Sequence, residues 1–163
     1  MRSSLAERSS AHHLLVKRLS HLDRKGRATM VDISPKLPQH RRAVAKGEIR
    51  CAPATIKLLR QGKTPKGDVL AVARIAGIQA AKQTANLIPL CHPLPIDSIH
   101  LELVPRSDRI QICAEVRVHA RTGVEMEALT AVSVAALTLY DMLKAVDRKM
   151  VIQNIHLHSK EKF

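Results

Sequence analysis

The sequence has 163 residues, 45% of them hydrophobic, and carries 27 Lys and Arg against 14 Asp and Glu. A chain of this length buries roughly 68–70% of its unfolded surface, so we expect one compact domain. No apolar run approaches the roughly 18 to 20 residues that cross a bilayer, and the N-terminus lacks the apolar core of a secretory signal. The cysteines, Cys51, Cys91 and Cys113, form no CxxC pair, which argues against a disulfide framework or a zinc site. A cytoplasmic protein is predicted.

The net charge of +13 predicts a surface that attracts phosphates, whether they belong to a nucleic acid or to a nucleotide. Proteins that bind single strands usually stack bases on aromatic side chains, and this chain has only Tyr140 and Phe163. A small nucleic-acid-binding protein therefore stays an alternative, which the charge favours and the aromatic content weakens.

Residues 1–19 differ in composition from the rest of the chain. They are rich in Arg and Ser, poor in acids, and contain only a short apolar patch. We interpret them as a flexible basic extension that precedes a single catalytic domain over residues 20–163. An organelle transit peptide is the alternative interpretation.

The predicted elements follow the order β, α, β, β, α, β. The patterns predict strands over 42–51, 99–103, 110–118 and 151–158, and helices over 53–60, 69–85 and 125–146. This order matches an α+β ferredoxin-like plait (βαββαβ) with an antiparallel sheet and an extra helix in the first crossover. One sheet face would stay bare, so we expect association with another subunit.

Two segments place basic or reactive side chains where an anion could bind. Lys66 precedes the start of the second helix, where free backbone N–H groups and the helix dipole favour phosphate. Alternatively, Asp68 only caps that helix and Lys66 is solvated. In the Pro-rich loop 87–94, His92 beside Cys91 could bind substrate or shuttle protons, although both residue types are more often structural.

The last predicted helix carries acids at both of its ends. Glu125 and Glu127 lie in its first turn, where they either stabilise the dipole or accept hydrogen bonds from a guanine-like amine edge. Asp141 and Lys144 stand three residues apart on one face, which is usually a surface ion pair of little worth. We expect the surrounding apolar residues to desolvate this pair and lower the pKa of Lys144 toward neutrality, so that it serves as an acid or base.

Taken in order, these segments resemble the cyclic pyranopterin monophosphate synthase family (MoaC). Lys66–Val69, Leu87–Leu94, Thr122–Ala131 and Ala135–Val146 carry the resemblance, which extends over about residues 19–160. It implies a lyase of molybdenum cofactor biosynthesis that converts 3′,8-cyclo-7,8-dihydroguanosine 5′-triphosphate into cyclic pyranopterin monophosphate with release of diphosphate.

The resemblance also implies which residues form the site. The catalytic residues would be Asp141, Lys144 and Lys66. The substrate-binding residues would be Leu90, Cys91, His92, Glu125, Met126, Glu127 and Lys160.

Further expectations concern cofactors and partners. The resemblance implies a homohexamer, built as a trimer of dimers with sites at the dimer interface, that requires no cofactor or resident metal. Whether Mg²⁺ accompanies the triphosphate stays open, and no nucleic acid or membrane partner is expected. The remaining alternative is an inactive family member with only an assembly role, against which the intact Asp141 and Lys144 argue.

Overall fold

The computed structural model describes residues 22–23 and 25–163 of the chain. The described residues fall into two units, which divide between residues 31 and 32. The predicted extension over residues 1–19 lies outside the described residues.

In the first unit, the described residues form a turn around Asp23. The Asp23 carboxylate accepts hydrogen bonds from the backbone N–H groups of Lys25 at 2.7 Å and Arg27 at 2.9 Å. It also pairs with the Arg27 guanidinium at 2.9 Å. Leu22 and Ala28 form an antiparallel bridge across this turn. The local bonding of an Asp side chain to the backbone that follows it explains the turn.

The described residues of the second unit form four strands and four helices. In chain order these are β1 (Gln39–Arg50), α1 (Pro53–Arg60), α2 (Val69–Lys82), α3 (Thr84–Leu87), β2 (Ser98–Pro105), β3 (Arg109–Ala120), α4 (Glu125–Leu143) and β4 (Val151–Lys162). The strands pair antiparallel in the order β2-β3-β1-β4. The predicted α+β class and ferredoxin-like plait are confirmed.

Most element bounds differ from the prediction by one to four residues, and two of these differences have a clear physical cause. The helix predicted over 69–85 ends at Lys82, because the Thr84 hydroxyl bonds back to the carbonyl oxygens of Ala80 and Ala81 and a separate short turn, α3, follows. Strand β4 continues past residue 158 to Lys162, since β1 begins early enough for Arg41 to pair with Lys162. Both differences depend on contacts that local alternation does not encode.

One face of the sheet holds the core beneath α2 and α4. Along β3 the buried positions alternate, from Ile110 and Ile112 to Val118. Glycine lets the two helices approach closely, since a Cβ on Gly77 of α2 would lie 2.8 Å from the carbonyl oxygen of Ala131 in α4. The close contact aligns α2 with α4, and the ends of α4 carry the candidate site.

The opposite face of the sheet is polar. Arg42 pairs with Glu115 and Glu161, and Lys46 Nζ lies 3.1 Å from His158 Nε2. A face occupied by ion pairs does not need an apolar cover. It therefore lends no support to the expectation that a bare sheet face requires a second subunit.

Helix α4 is, within residues 22–23 and 25–163, the one helix long and apolar enough to cross a membrane by length and composition. Ten of its 19 residues are buried, and it contacts β1, β3, β4 and α2. These contacts are those of a core helix.

Candidate active site

Lys66, Asp141 and Lys144 meet in one chain, and we call them the lysine–aspartate cluster. Lys144 Nζ lies 2.7 Å from Asp141 Oδ1. Lys66 Nζ lies 2.9 Å from Asp141 Oδ2 and 3.0 Å from the Asp141 main-chain oxygen. The fold therefore joins three residues predicted as catalytic, although 75 positions separate Lys66 from Asp141.

Lys66 lies in the turn between α1 and α2. Gly67 has a φ of +80°, and its N–H donates to the Thr64 carbonyl oxygen at 3.2 Å. Asp68 caps α2 by accepting from Ala71 N at 3.0 Å. The capping interpretation of Asp68 is thus correct, but Lys66 is not simply solvated, because the turn directs it toward Asp141.

The electrostatics of the lysine–aspartate cluster differ from expectation. Its side chains are about half exposed. The hydrogen bonds from Lys144 and then Lys66 lower the pKa of Asp141 to about 2, and Asp141 in turn raises the pKa of Lys144. The expectation of a desolvated Lys144 with a lowered pKa was wrong. The apolar neighbours Leu139 and Leu143 are fully buried in the core, so they do not cover the outward face of the helix.

A second group lies at the start of α4, and we call it the glutamate cluster: Glu125 and Glu127 with Cys91, His92 and Lys160. Glu127 is only 4% exposed, and burial raises its pKa, with the charge of Glu125 adding to the effect. Glu127 and His92 line one cavity of about 100 Å³. Burial, followed by the charge of Glu127, raises the pKa of the Cys91 thiol. This end of α4 therefore offers a readily protonated acid beside an imidazole.

Glu125 lies at the edge of a basic cavity. Its carboxylate accepts a hydrogen bond from Lys160 Nζ at 3.1 Å. A cavity of about 380 Å³ adjoins this pair, and Arg41, Arg42 and Lys162 also line it. Clustered cations of this kind suit a polyphosphate.

Sequence reasoning missed the three further cations of this cavity. Arg41 pairs with Lys162, and Ala43 with Lys160, across the β1 and β4 ladder. The charged alternation of residues 158–162 was a usable signal, but its partner strand could not be identified from the sequence. The two other predicted binding residues show little specific geometry: Leu90 is half-buried before Cys91, and Met126 is exposed in the first turn of α4.

The two clusters lie at opposite ends of α4. Glu125 opens the helix and Asp141 stands sixteen positions later. At 1.5 Å per residue this separation is about 24 Å along the axis. One chain therefore does not bring all the predicted site residues together.

Residues 22–23 and 25–163 contain no group of three or more His, Cys, Asp or Glu side chains arranged to hold a metal ion. The three cysteines are free thiols. Burial, followed by the charge of Asp147, raises the pKa of Cys51 to about 12, so this thiol stays protonated.

The sequence is similar to those of known proteins over most of its length. A sequence model of the MoaC family matches residues 30–162, which include every predicted site residue. The cyclic pyranopterin monophosphate synthase of Nostoc sp. (strain PCC 7120 / SAG 25.82 / UTEX 2576) is 58% identical over 144 residues, 87% of this chain and 86% of the relative. Those of Herpetosiphon aurantiacus and Dinoroseobacter shibae are each 57% identical, covering 87% and 88% of this chain and 88% and 92% of the relatives.

Proposed function

This chain belongs to the MoaC family, and from that premise we propose how its residues perform the family's reaction. It is a lyase of molybdenum cofactor biosynthesis with cyclic pyranopterin monophosphate synthase activity. The substrate is 3′,8-cyclo-7,8-dihydroguanosine 5′-triphosphate, and the products are cyclic pyranopterin monophosphate and diphosphate. The observation that carries the mechanism is the meeting of Lys66, Asp141 and Lys144 in one cluster.

The lysine–aspartate cluster supplies charge and a proton relay. Asp141 stays ionised and keeps Lys144 as an ammonium ion, because each stabilises the charge of the other. Two ammonium groups offset the negative charge that develops as diphosphate leaves. Lys144 also donates a proton to the opening ring, and Asp141 orients it for that step.

The glutamate cluster binds the guanine-derived part of the substrate. Glu127 is buried and its pKa is raised, so it holds a proton to higher pH than an ordinary glutamate and can donate it, while Glu125 accepts from amine groups. His92 shares the cavity of Glu127 and passes protons to it. The cations around Lys160 hold the phosphates.

Acting on one substrate requires both clusters at the same reacting atoms, within about 3–3.5 Å of them. The length of α4, about 24 Å between Glu125 and Asp141, argues against this within one chain. We therefore propose a site that combines the lysine–aspartate cluster of one subunit with the glutamate cluster of a second. A homohexamer built as a trimer of dimers, with sites at the dimer interface, is the assembly that we propose.

We also propose a metal ion that accompanies the substrate and a cellular location for the enzyme. Mg²⁺ would arrive bound to the triphosphate, since this ion binds through phosphate oxygens and few carboxylates. No further cofactor is needed for acid–base chemistry of this kind. A cytoplasmic location suits the three free thiols and the nucleotide substrate.

The experiment measures formation of diphosphate and cyclic pyranopterin monophosphate from the cyclic triphosphate by the purified chain. Lys144→Ala should abolish turnover, whereas Lys57→Ala removes one exposed positive charge on α1 and should leave turnover unchanged. A folded wild-type chain without product would overturn the proposal. Steeply salt-dependent binding of long nucleic acid, with no preference for the triphosphate, would instead favour the nucleic-acid alternative.

A further inference from the structure

We infer that Asp147 is a positioning residue for the lysine–aspartate cluster, because its buried carboxylate joins the two segments that carry Lys66 and Lys144. Asp147 is 7% exposed. Its Oδ2 accepts from Ala52 N at 2.7 Å and from the Thr55 hydroxyl at 3.1 Å. Asp147 therefore contacts the start of α1 from a position just after α4.

On the α4 side, Asp147 is continuous with the turn that carries Lys144. The N–H groups of Val146 and Asp147 both donate to the Leu143 carbonyl oxygen, at 2.9 and 3.0 Å. Lys144 N donates to Tyr140 O at 2.9 Å. Since Leu143 is fully buried, this turn is anchored in the core.

On the α1 side, Asp147 places a carboxylate at the start of a helix that has no side-chain cap. No acidic residue lies in the first turn of α1, and its N-cap, Ala52, offers no side-chain acceptor. A carboxylate at a helix N-terminus satisfies free N–H groups and stabilises the dipole. Burial alone would raise the pKa of Asp147, but the hydrogen bonds from Ala52, Lys149 and Thr55 lower it, which keeps the carboxylate charged.

The orientation of α1 is transmitted to Lys66 through a bonded turn. Gln61 N and Lys63 N donate to the Lys57 and Leu58 carbonyl oxygens at 3.1 and 3.0 Å. The Thr64 hydroxyl then donates to the Gly67 carbonyl oxygen at 2.5 Å. Few unbonded residues remain between α1 and Lys66, so a shift of the helix moves the lysine.

Two contacts thus join the same two segments, one at Asp147 and one between Lys66 and Asp141. The second is a half-exposed ion pair, which stabilises little on its own. Without the Asp147 carboxylate, the N–H of Ala52 and the buried Thr55 hydroxyl lose their acceptor, and the start of α1 is free to shift. The Lys66 to Asp141 contact then loosens. The proposed function is needed only for the effect of this loosening on turnover.

The test is a double-mutant cycle in which the pKa of the Asp141 carboxyl is the measured quantity. Its pKa is measured by carbon NMR in the full chain, over the pH range in which the chain stays folded, for wild type, Asp147→Asn, Lys66→Ala and the double variant. Asp147→Asn removes the charge and one of the two acceptor oxygens that hold Ala52, Thr55 and Lys149, which loosens the start of α1. It should therefore raise the pKa of Asp141, since the bond from Lys66 is one cause of its depression. In the Lys66→Ala background, Asp147→Asn should add no further shift.

Glu48→Gln is the matched control. Glu48 is a second buried carboxylate, 8% exposed, and it accepts from Gln153 at 2.7 Å and Asn154 at 3.0 Å away from the lysine–aspartate cluster. Glu48→Gln should lower the melting temperature but leave the pKa of Asp141 unchanged. If Asp147→Asn does not fold, Thr55→Val removes one donor to the same carboxylate and should shift the pKa in the same direction by less.

The inference is overturned if Asp147→Asn or Thr55→Val lowers the melting temperature without moving the pKa of Asp141. The inference is also overturned if Asp147→Asn shifts the pKa of Asp141 equally in the presence and in the absence of the Lys66 amine. Failure of the proposed function is a separate result, because an inactive wild type would leave this pKa cycle intact. If the proposed function holds, Asp147→Asn should lower kcat with little change in KM.

Discussion

Lys66 donates to both the carboxylate and the main-chain oxygen of Asp141, at 2.9 and 3.0 Å within one chain. This double contact places the lysine on the C-terminal end of α4, where the helix dipole also favours a cation. Lys66 and Lys144 therefore belong to the same half of the proposed composite site. Subunit mixing can test that division directly.

Mixed hexamers of Lys144→Ala and Glu127→Gln subunits should regain part of the activity that each variant lacks. One site in a mixed dimer would receive an intact lysine–aspartate cluster from one subunit and an intact glutamate cluster from the other. Turnover is measured after subunit exchange has been verified by mass spectrometry. The matched control mixes Lys66→Ala with Lys144→Ala, which should give no recovery, since both lesions fall in one cluster. Recovered turnover in the Lys66→Ala and Lys144→Ala mixture alone would contradict the assignment of both lysines to the same half of the site.

Asp141→Asn should lower kcat by about 10²–10⁴-fold, the range typical of a lost group in acid–base catalysis. The variant keeps the shape of the side chain but removes the charge that holds the two lysines. Its melting temperature at pH 7 should change little, because surface ion pairs contribute little stability. Steady-state kinetics and calorimetry check both statements. Wild-type kcat in this variant would reduce the cluster to a surface ion network.

Glu127→Gln should raise the melting temperature at pH 7 to 8. Burial raises the pKa of Glu127 above its unfolded value, so wild type is destabilised once the pH exceeds the unfolded pKa and the buried carboxyl must ionise. A neutral amide avoids this cost. The gain should shrink as the pH falls toward 4, where the acid is protonated in both states. Melting temperatures of the two proteins across pH measure the difference, and a gain that grows at low pH would contradict the burial argument.

Gly67→Ala should destabilise the chain by about 1–2 kcal/mol and also impair turnover. Its φ of +80° is costly for any residue with a Cβ, and it lies next to Lys66. Gly62→Ala is the matched control, since Gly62 has a φ of +65° and likewise has open space where a Cβ would lie. Both variants should lose similar stability in urea, but only Gly67→Ala should lower kcat. Equal loss of kcat would mean that general loosening of the turn, not the placement of Lys66, limits the reaction.

The local patterns were sufficient to predict the four strands and three of the four helices of the described residues in the correct order, and only the short α3 was missed. Alternation along β3 and the Pro53 start of α1 depend on neighbouring residues alone, and both appear in the structure. The end of β4 could not be predicted, because its last residues are polar and are ordered by pairing with β1. Strand partners separated by more than a hundred positions leave no local signal.

The candidate site was predicted residue by residue but not in its arrangement. Spacing alone indicated that Asp141 and Lys144 share a face of α4, and the structure confirms their contact. The same spacing did not reveal which way that face points, so the predicted desolvation of Lys144 was wrong. The contact of Lys66 with Asp141 depends on where the turn between α1 and α2 lies relative to the end of α4, which is a property of tertiary structure.

Helix α4 fixes both the distance between the two clusters and the angle about its axis between the faces on which they lie. Each residue of an α-helix turns the chain by roughly 100° and advances it by 1.5 Å. Deleting one residue between Glu125 and Asp141 would therefore rotate the acids of one end about a quarter turn relative to the lysines of the other. Adding two full turns, about seven residues, would restore that angle but lengthen the helix by about 10 Å. Neither change leaves both halves of the proposed site aligned, so the length of this helix is constrained more tightly than its composition.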